Sequence, residues 1–333
     1  LKEVYPMTRY DFLTFGETMI RLSTRHYERL EQAQQLDMRY GGTEANTAVG
    51  LAKLGYKPAW VSRLPRNPLG LKIANDLMLN GVDTSHIVWT DEGRVGLFFV
   101  EFSAAPRPSA IVYDRRNSTM SQMTSADFPW DLLRETRWLH LTGITAALSD
   151  SCRQLVIDAM RRAHELNLTV SFDVNYRARL WTPAQARATL EPLCQEADVF
   201  FVTQSDAAKV FDAASHGETP EATIEHLAQH FARKVIVMTL SADGAIALER
   251  TSTGQQLYRA APIPVPFAVD RIGAGDAFAA GFIAGYLEAG CDKGLQLGSA
   301  MASLKMTIPG DLALVTRNEV EELIAGHTGN ITR

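Results

Sequence analysis

Short apolar runs alternate with longer stretches of helical period along most of the chain. Phe12–Phe15 reads as a strand that ends at Gly16-Glu17. Thr43–Leu54 places Ala48, Leu51, Ala52 and Leu54 on one helical face, and Gly55 stops the helix. Ala59–Val61 reads as a strand and Leu69–Leu79 as a helix closed by Gly81. The rhythm resumes with strand Trp138–Leu141, helix Asp150–Glu165, strand Thr169–Asp173 and helix Pro183–Cys194, then strand Val199–Val202, helix Glu221–Phe231 and strand Val235–Thr239. Pro183 suits a helix start, because the N–H it lacks has no intrahelical acceptor there. Strands joined through helices imply crossover units, hence an α/β fold with a mostly parallel central sheet flanked by helices.

Two stretches break the rhythm. Met19–Tyr40 and Val95–Tyr113 contain strand-like runs, among them Gly96–Val100 and Ala110–Tyr113, with no helix inside them. They predict a small antiparallel sheet, either a lid over a ligand that excludes water or an edge extension of the main sheet. There is no internal repeat and no linker. The expectation is one domain over residues 12–325 with a lid from about 19–40 and 95–114.

Composition narrows the partners. With 33 Lys and Arg against 38 Asp and Glu, net charge −5, the chain lacks the cationic surplus of a nucleic-acid binder. Cys152, Cys194 and Cys291 are widely spaced and form no Cys-x-x-Cys, so reduced thiols are expected rather than a disulfide framework or zinc site. Leu1–Tyr10 lacks the apolar stretch of a signal peptide, and the apolar run Phe278–Leu287 is too short to span a bilayer. A soluble cytoplasmic protein with no membrane partner is expected.

The sharpest chemical signal is Asp270-Arg271-Ile272-Gly273-Ala274-Gly275-Asp276, which runs directly into the apolar segment Ala277–Ile283. The first N–H groups of a helix have no internal acceptors, and the helix dipole adds positive potential there. Small residues let a ligand approach that backbone, so Gly273, Ala274 and Gly275 form a candidate anion hole for a phosphoryl group. Asp276 would stand beside it, placed to take a proton from an acceptor hydroxyl. From these residues alone, an ordinary glycine turn whose aspartate starts a helix is an equally good reading. A dinucleotide fingerprint fits poorly, since Phe278 stands at the third glycine position, and no Walker A sequence occurs.

Together with Gly41-Gly42-Thr43-Glu44-Ala45-Asn46-Thr47-Ala48, this segment resembles the paired signatures of the ribokinase-like (PfkB) carbohydrate kinases, in the order that family has them. The resemblance spans roughly residues 12–325. Within the family the likeness is strongest to 2-keto-3-deoxygluconate kinases, through Gly96–Glu101, Val112–Arg115, Leu139–Thr145 and Ser171–Trp181. It implies ATP as donor, Mg2+ as cofactor and the terminal hydroxyl of a six-carbon keto acid as acceptor. A neutral ketose such as fructose or ribose as substrate is the alternative, or a sugar- or nucleotide-binding regulator without turnover.

The resemblance also implies site residues. Gly42 and Asn46, four apart at a helix start, would touch the sugar. Phe98, Tyr113, Ile144 and Asp311 would line its site. Arg115 and Arg177 are the specificity candidates, since a guanidinium can bind a carboxylate through two donors and a neutral sugar needs no such partner. The plainer reading is a pair of surface salt-bridge arginines. Asp173 and Asn175 end a strand on one face, where Asp173, with Asp206, would hold magnesium through water and Asn175 would meet ATP. Thr239, Ser241 and Gly244 resemble the nucleotide turn, with Ala302 and Ser303 beside the adenine.

The chain departs from the family pattern at Arg271, where Thr or Pro is common, and at Thr203 and Asp206, which replace Asn and Glu. Ser241 stands for a glycine and Phe98 for a tyrosine. His140, in a buried strand pattern, reads as a core residue. Exposed edges of the lid would suit pairing of two copies, so a homodimer through the lid is expected.

Overall fold

The computed structural model describes residues 8–213, 219–231 and 234–327. Its centre is an eight-stranded sheet. In spatial order the strands are Gly254–Ala260, Ala245–Thr251, Val235–Thr239, Val199–Thr203, Thr169–Asp173, Trp138–Thr142, Phe12–Phe15 and Pro58–Val61. Six are parallel, and the first two form an antiparallel hairpin at one edge. The chain leaves Phe12–Phe15 toward one edge and later returns on its other side, so the direction of winding reverses there. Such a switch point opens a crevice beyond the carboxyl ends of the strands.

Alternation along the strands builds a core on each face. Leu13, Phe15, Phe200, Val202, Ile236 and Met238 join one apolar cluster with the helices Asp150–Glu165, Pro183–Glu196 and Pro220–His230. Phe12, Val199, Phe201, Val235 and Val237 join the other, with Thr43–Lys53, Pro68–Leu79, Ala274–Ala289 and Cys291–Lys305. Pro183 occupies the first turn of its helix, whose start Thr182 and Gln185 close with a capping box.

The second sheet has four strands, in the order Asp37–Gly41, Met19–Ser23, Leu97–Glu101 and Ala110–Asp114. Its outer pairs are antiparallel. The central pair, Met19–Ser23 with Leu97–Glu101, is parallel, because the chain makes a long excursion through the main sheet between them.

Several elements fall outside the pattern expected from sequence. They include the hairpin of Ala245–Thr251 and Gly254–Ala260 and the helices Gln204–Phe211, Cys291–Lys305 and Arg317–Ile324. The outer hairpin strand is polar and largely exposed, so it carries no alternation. Cys291–Lys305 is diluted by Gly294 and Gly298, which let it lie close against Ala274–Ala289. Among the described residues, no helix is long and apolar enough to cross a membrane.

Candidate active site

A cleft of about 360 Å³ opens beyond the carboxyl ends of the parallel strands, between the main sheet and the four-stranded sheet. Phe12–Phe15 delivers Glu17 to it, Trp138–Thr142 delivers Ile144, Thr169–Asp173 delivers Asp173 and Asn175, Val199–Thr203 delivers Thr203 and Asp206, and Val235–Thr239 delivers Thr239. The small sheet contributes Met19, Phe98 and Tyr113 from the opposite side, with Arg115 just beyond its last strand.

The helix Ala274–Ala289 begins at the floor of this cleft. Gly273 precedes it with φ +86°, a left-handed conformation, and Asp276 lies in its first turn. Among the described residues no acceptor takes the N–H of Gly273, Gly275 or Asp276, whereas that of Ala274 reaches the Arg271 carbonyl at 3.3 Å. Asp276 is buried to 9 % exposure yet lines the cleft. Its two carboxylate oxygens are held from the start of the first helix, where Thr43 Oγ1 donates to Oδ1 at 2.5 Å and Asn46 Nδ2 to Oδ2 at 2.7 Å. Asn175 Nδ2 in turn donates to Thr43 Oγ1 at 3.0 Å. These contacts explain why the Gly42–Asn46 segment and Asp276, remote in sequence, meet. Thr43 was not anticipated as a site residue: a Thr at a helix start is common for capping alone, and only the packing of two helix N-termini reveals its second partner.

Burial raises the pKa of Asp276, while the Thr43 and Asn46 hydrogen bonds and the Arg177 charge pull it back. Asp173 is pushed up to about 7 by burial and then by the charge of Asp276, and burial also raises Asp206. The Asn175 side-chain oxygen is buried and without a hydrogen-bond partner. Asp173, Asp206 and Asn175 therefore offer hard oxygen donors in the cleft, the type that suits a hydrated magnesium ion. Among the described residues, no group of three or more His, Cys, Asp and Glu is gathered to ligate a metal directly. Thr203 caps the helix that carries Asp206, its Oγ1 accepting the Asp206 N–H at 3.0 Å.

Both arginines singled out from sequence reach the cleft, in different states. Arg115 is engaged by the buried Glu17, with Nε 2.8 Å from Oε2 and Nη2 on the same oxygen. Arg177 is exposed at the mouth, donating only to the Tyr176 carbonyl at 3.1 Å among the described residues. Gly42 and Asp311 also line the cleft, as does Arg271. Phe98 stacks on Tyr113 with ring centroids 5.9 Å apart and brings no hydroxyl. Ser241, Gly244, Ala302 and Ser303 do not line it. Ser241 and Gly244 follow directly after Thr239, while the Ser303 hydroxyl is bonded to the Ile263 carbonyl at 3.2 Å. His140 is a core residue: it is fully buried, bonded to Ser171 and pushed down to about 3, hence neutral.

Glu44, next to Thr43, is fully buried; Thr142 and Thr145 each donate to its Oε1 at 2.6 Å, and its Oε2 has no partner. Burial lifts its pKa from 4.5 to about 7. The folded protein then holds this proton more tightly than the unfolded chain. The resulting stability is complete below about pH 4.5 and is lost as pH rises to about 7. Glu44→Gln keeps the acceptor for both threonines and cannot titrate. Measured by urea unfolding, its stability relative to wild type should rise by up to about 3 kcal/mol between pH 5 and pH 8. Parallel stability curves for the two proteins would contradict this assignment.

The model of the pfkB family carbohydrate kinases matches residues 11–316. A 2-dehydro-3-deoxygalactonokinase of Haloferax volcanii is 36% identical over 325 residues, 97% of this chain and 99% of its own length. A 2-dehydro-3-deoxygluconokinase of Bacillus subtilis is 32% identical, covering 95% of this chain and 96% of its own. The crystal structure of a 2-dehydro-3-deoxygluconokinase from Thermotoga maritima superposes with a TM-score of 0.86 at 35% identity, over 96% of this chain and all of that one. With a helix-borne aspartate and unspent amides at the switch point of a ribokinase-like α/β fold, and a family match over most of its length, the chain belongs to the pfkB family of carbohydrate kinases.

Proposed function

We propose that the protein transfers the terminal phosphoryl group of ATP to the terminal hydroxyl of a sugar acid, 2-keto-3-deoxygluconate or its galactonate epimer, giving the 6-phosphate. One observation carries the reading: the Asp276 carboxylate is fixed from behind by Thr43 and Asn46 while facing a cleft into which backbone amides point unspent. Asp276 takes the hydroxyl proton as the sugar oxygen attacks the γ-phosphorus. The bond to the bridging oxygen breaks and ADP leaves. The amides of Gly273, Gly275 and Asp276 stabilise the charge on the migrating phosphoryl group, and Ala274 joins them if it releases the Arg271 carbonyl. Asp173 and Asp206 would hold magnesium through water, with Asn175 beside them, and a bound ion would supply positive charge against the phosphates. The nucleotide lies along Thr239 and the turn at Ser241–Gly244, toward Ala302 and Ser303.

The sugar meets Gly42, Asn46, Phe98, Tyr113, Ile144 and Asp311. Its carboxylate pairs with Arg177, whose charge is unpaired among the described residues, while Glu17 offsets the charge of Arg115 and leaves the Nη1 donors of that guanidinium for the ligand. The names of the similar kinases support an acid over a neutral sugar. The residues from 12 to 325 act as one domain, with the four-stranded sheet as a lid that excludes water. Its outer strands Asp37–Gly41 and Ala110–Asp114 leave edges free for a second copy.

The test is ADP release, coupled to a reporter, with magnesium ATP and a panel of sugar acids and neutral sugars. Turnover of the keto acids supports the reading. Preference for ribose or fructose rejects the acid, and ligand binding without ADP release from any sugar favours a regulator. Arg177→Met should raise KM for the acid about 10–100-fold, since one charge-assisted pair contributes roughly 1.5–3 kcal/mol. Its residual turnover of a neutral sugar should be unchanged. An equal KM rise for both would remove Arg177 from carboxylate recognition.

A further inference from the structure

Beside the cleft, four charged side chains are almost fully buried together: Arg21 at 1%, Asp270 at 2%, Asp311 at 4% and Lys305 at 0% exposure. Buried charge persists only where it is paired, and here two cations face two anions. Arg21 stands on the lid strand Met19–Ser23. Its Nη2 donates to Asp270 Oδ2 at 2.6 Å, its Nη1 to Asp311 Oδ1, and its Nε to Ser23 Oγ at 2.9 Å.

Asp270 opens the segment that carries the anion-binding amides. Its Oδ1 accepts the Ile272 N–H at 3.0 Å, and its Oδ2 also accepts the Gly310 N–H at 2.9 Å. Its carbonyl takes Lys305 Nζ at 2.8 Å, and the same ammonium reaches the Ile308 carbonyl at 3.4 Å. Asp311 then presses on both halves of the site. Its carbonyl lies where a Cβ on Gly273 would come within 1.9 Å, and its carboxylate where one on Gly41 would come within 2.1 Å. One guanidinium from the lid therefore grips two carboxylates: that of Asp270, which accepts the Ile272 N–H, and that of Asp311, whose backbone carbonyl lies against Gly273.

We propose that Arg21 is a positioning residue for phosphoryl transfer: it clamps the lid to the anion-binding loop through Asp270 and Asp311, so that the amides stand in their working geometry when the lid lies over the cleft. The proposal rests on the kinase reading above. Arg21 itself touches neither sugar nor phosphate. Without it, Asp270 and Asp311 would be buried carboxylates with no ion-pair partner among the described residues, since Lys305 Nζ is spent on the Asp270 and Ile308 carbonyls, and the loop would relax away.

Two measurements on full-length wild type, Arg21→Met and Arg21→Lys test the clamp. In steady-state kinetics, Arg21→Met should lose about 10–100-fold in kcat, as for a sub-ångström misplacement of catalytic groups, with KM for the sugar acid within about threefold. Arg21→Lys, which keeps the charge but cannot span both carboxylates, should recover part of that loss. In hydrogen exchange, the Ile272 and Gly310 amides of Arg21→Met should exchange about tenfold faster, while the strand Thr169–Asp173 keeps its wild-type rate. An unchanged kcat overturns the proposal, as does acceleration of all three segments alike, which marks a purely structural role. If Arg21→Met does not fold, Arg21→Lys is read in the same two ways. Wild-type protein that turns over no sugar rejects the kinase reading, and unaltered exchange at Ile272 and Gly310 then rejects the clamp separately.

Discussion

Asp276→Asn should lower kcat by roughly 10²–10⁴-fold, the usual contribution of a general base, with little change in KM. The change is isosteric, yet it meets two fixed donors. Thr43 and Asn46 each donate to one carboxylate oxygen, and an amide offers only one oxygen. Its nitrogen must face one of those donors, so some loss of stability accompanies the loss of rate. The pH dependence separates the two effects. Burial raises the Asp276 pKa, so wild-type kcat/KM should fall on the acid side as that carboxylate, with Asp173 titrating near 7, takes up protons. In Asp276→Asn the residual rate should lose the Asp276 component of that limb. A variant that keeps wild-type kcat, or an acid limb unchanged by the substitution, removes Asp276 from the base role.

Much of this site was legible in the sequence because its parts are local. A glycine turn that feeds a helix dictates free amides, and a carboxylate in the first helical turn dictates a charge beside them. The seven strands and helices expected between Trp138 and Thr239 are equally local, and their observed bounds differ from the expected ones by at most two residues, whereas the short helices Gly143–Leu148 and Gln204–Phe211 between them were not expected. What was not legible depends on pairs distant in the chain. Thr43 with Asp276, Glu17 with Arg115 and Arg21 with Asp270 are each separated by most of an element series, and no spacing rule links them.

Charge bookkeeping shows the same limit. From sequence, Arg115 and Arg177 are equivalent guanidiniums. Folded, one is offset by a buried glutamate and the other stands exposed at the mouth. Glu44 stands in the first turn of its helix, where a carboxylate is favoured even in water, yet it is sealed between that helix and Thr142 and Thr145. The polar hairpin strand Gly254–Ala260 escaped notice for the converse reason: its existence is fixed by backbone pairing to Ala245–Thr251 and hardly at all by burial.

Gly273→Ala is the second large effect, and it tests the anion site independently of the base. Gly273 adopts φ +86°, a region that costs an L-residue roughly 1–2 kcal/mol. The added Cβ would also stand 1.9 Å from the Asp311 carbonyl oxygen. That carbonyl cannot withdraw freely, because Arg21 holds the Asp311 side chain and Asp270 the neighbouring Gly310 N–H. The Gly273 peptide must therefore move, and the amides that follow it turn away from the phosphoryl position. Displacing such donors should cost about 10²–10³-fold in kcat. Gly275 offers the contrast: its φ is ordinary, and among the described residues an added Cβ would meet nothing within 4 Å beyond its chain neighbours and the backbone of its own helix. Gly275→Ala should keep wild-type thermal stability, while Gly273→Ala should lose both stability and rate. Thermal unfolding and single-turnover kinetics on the two variants check this. A Gly273→Ala protein with wild-type kcat would mean that the amides at this helix start do not hold the migrating phosphoryl group.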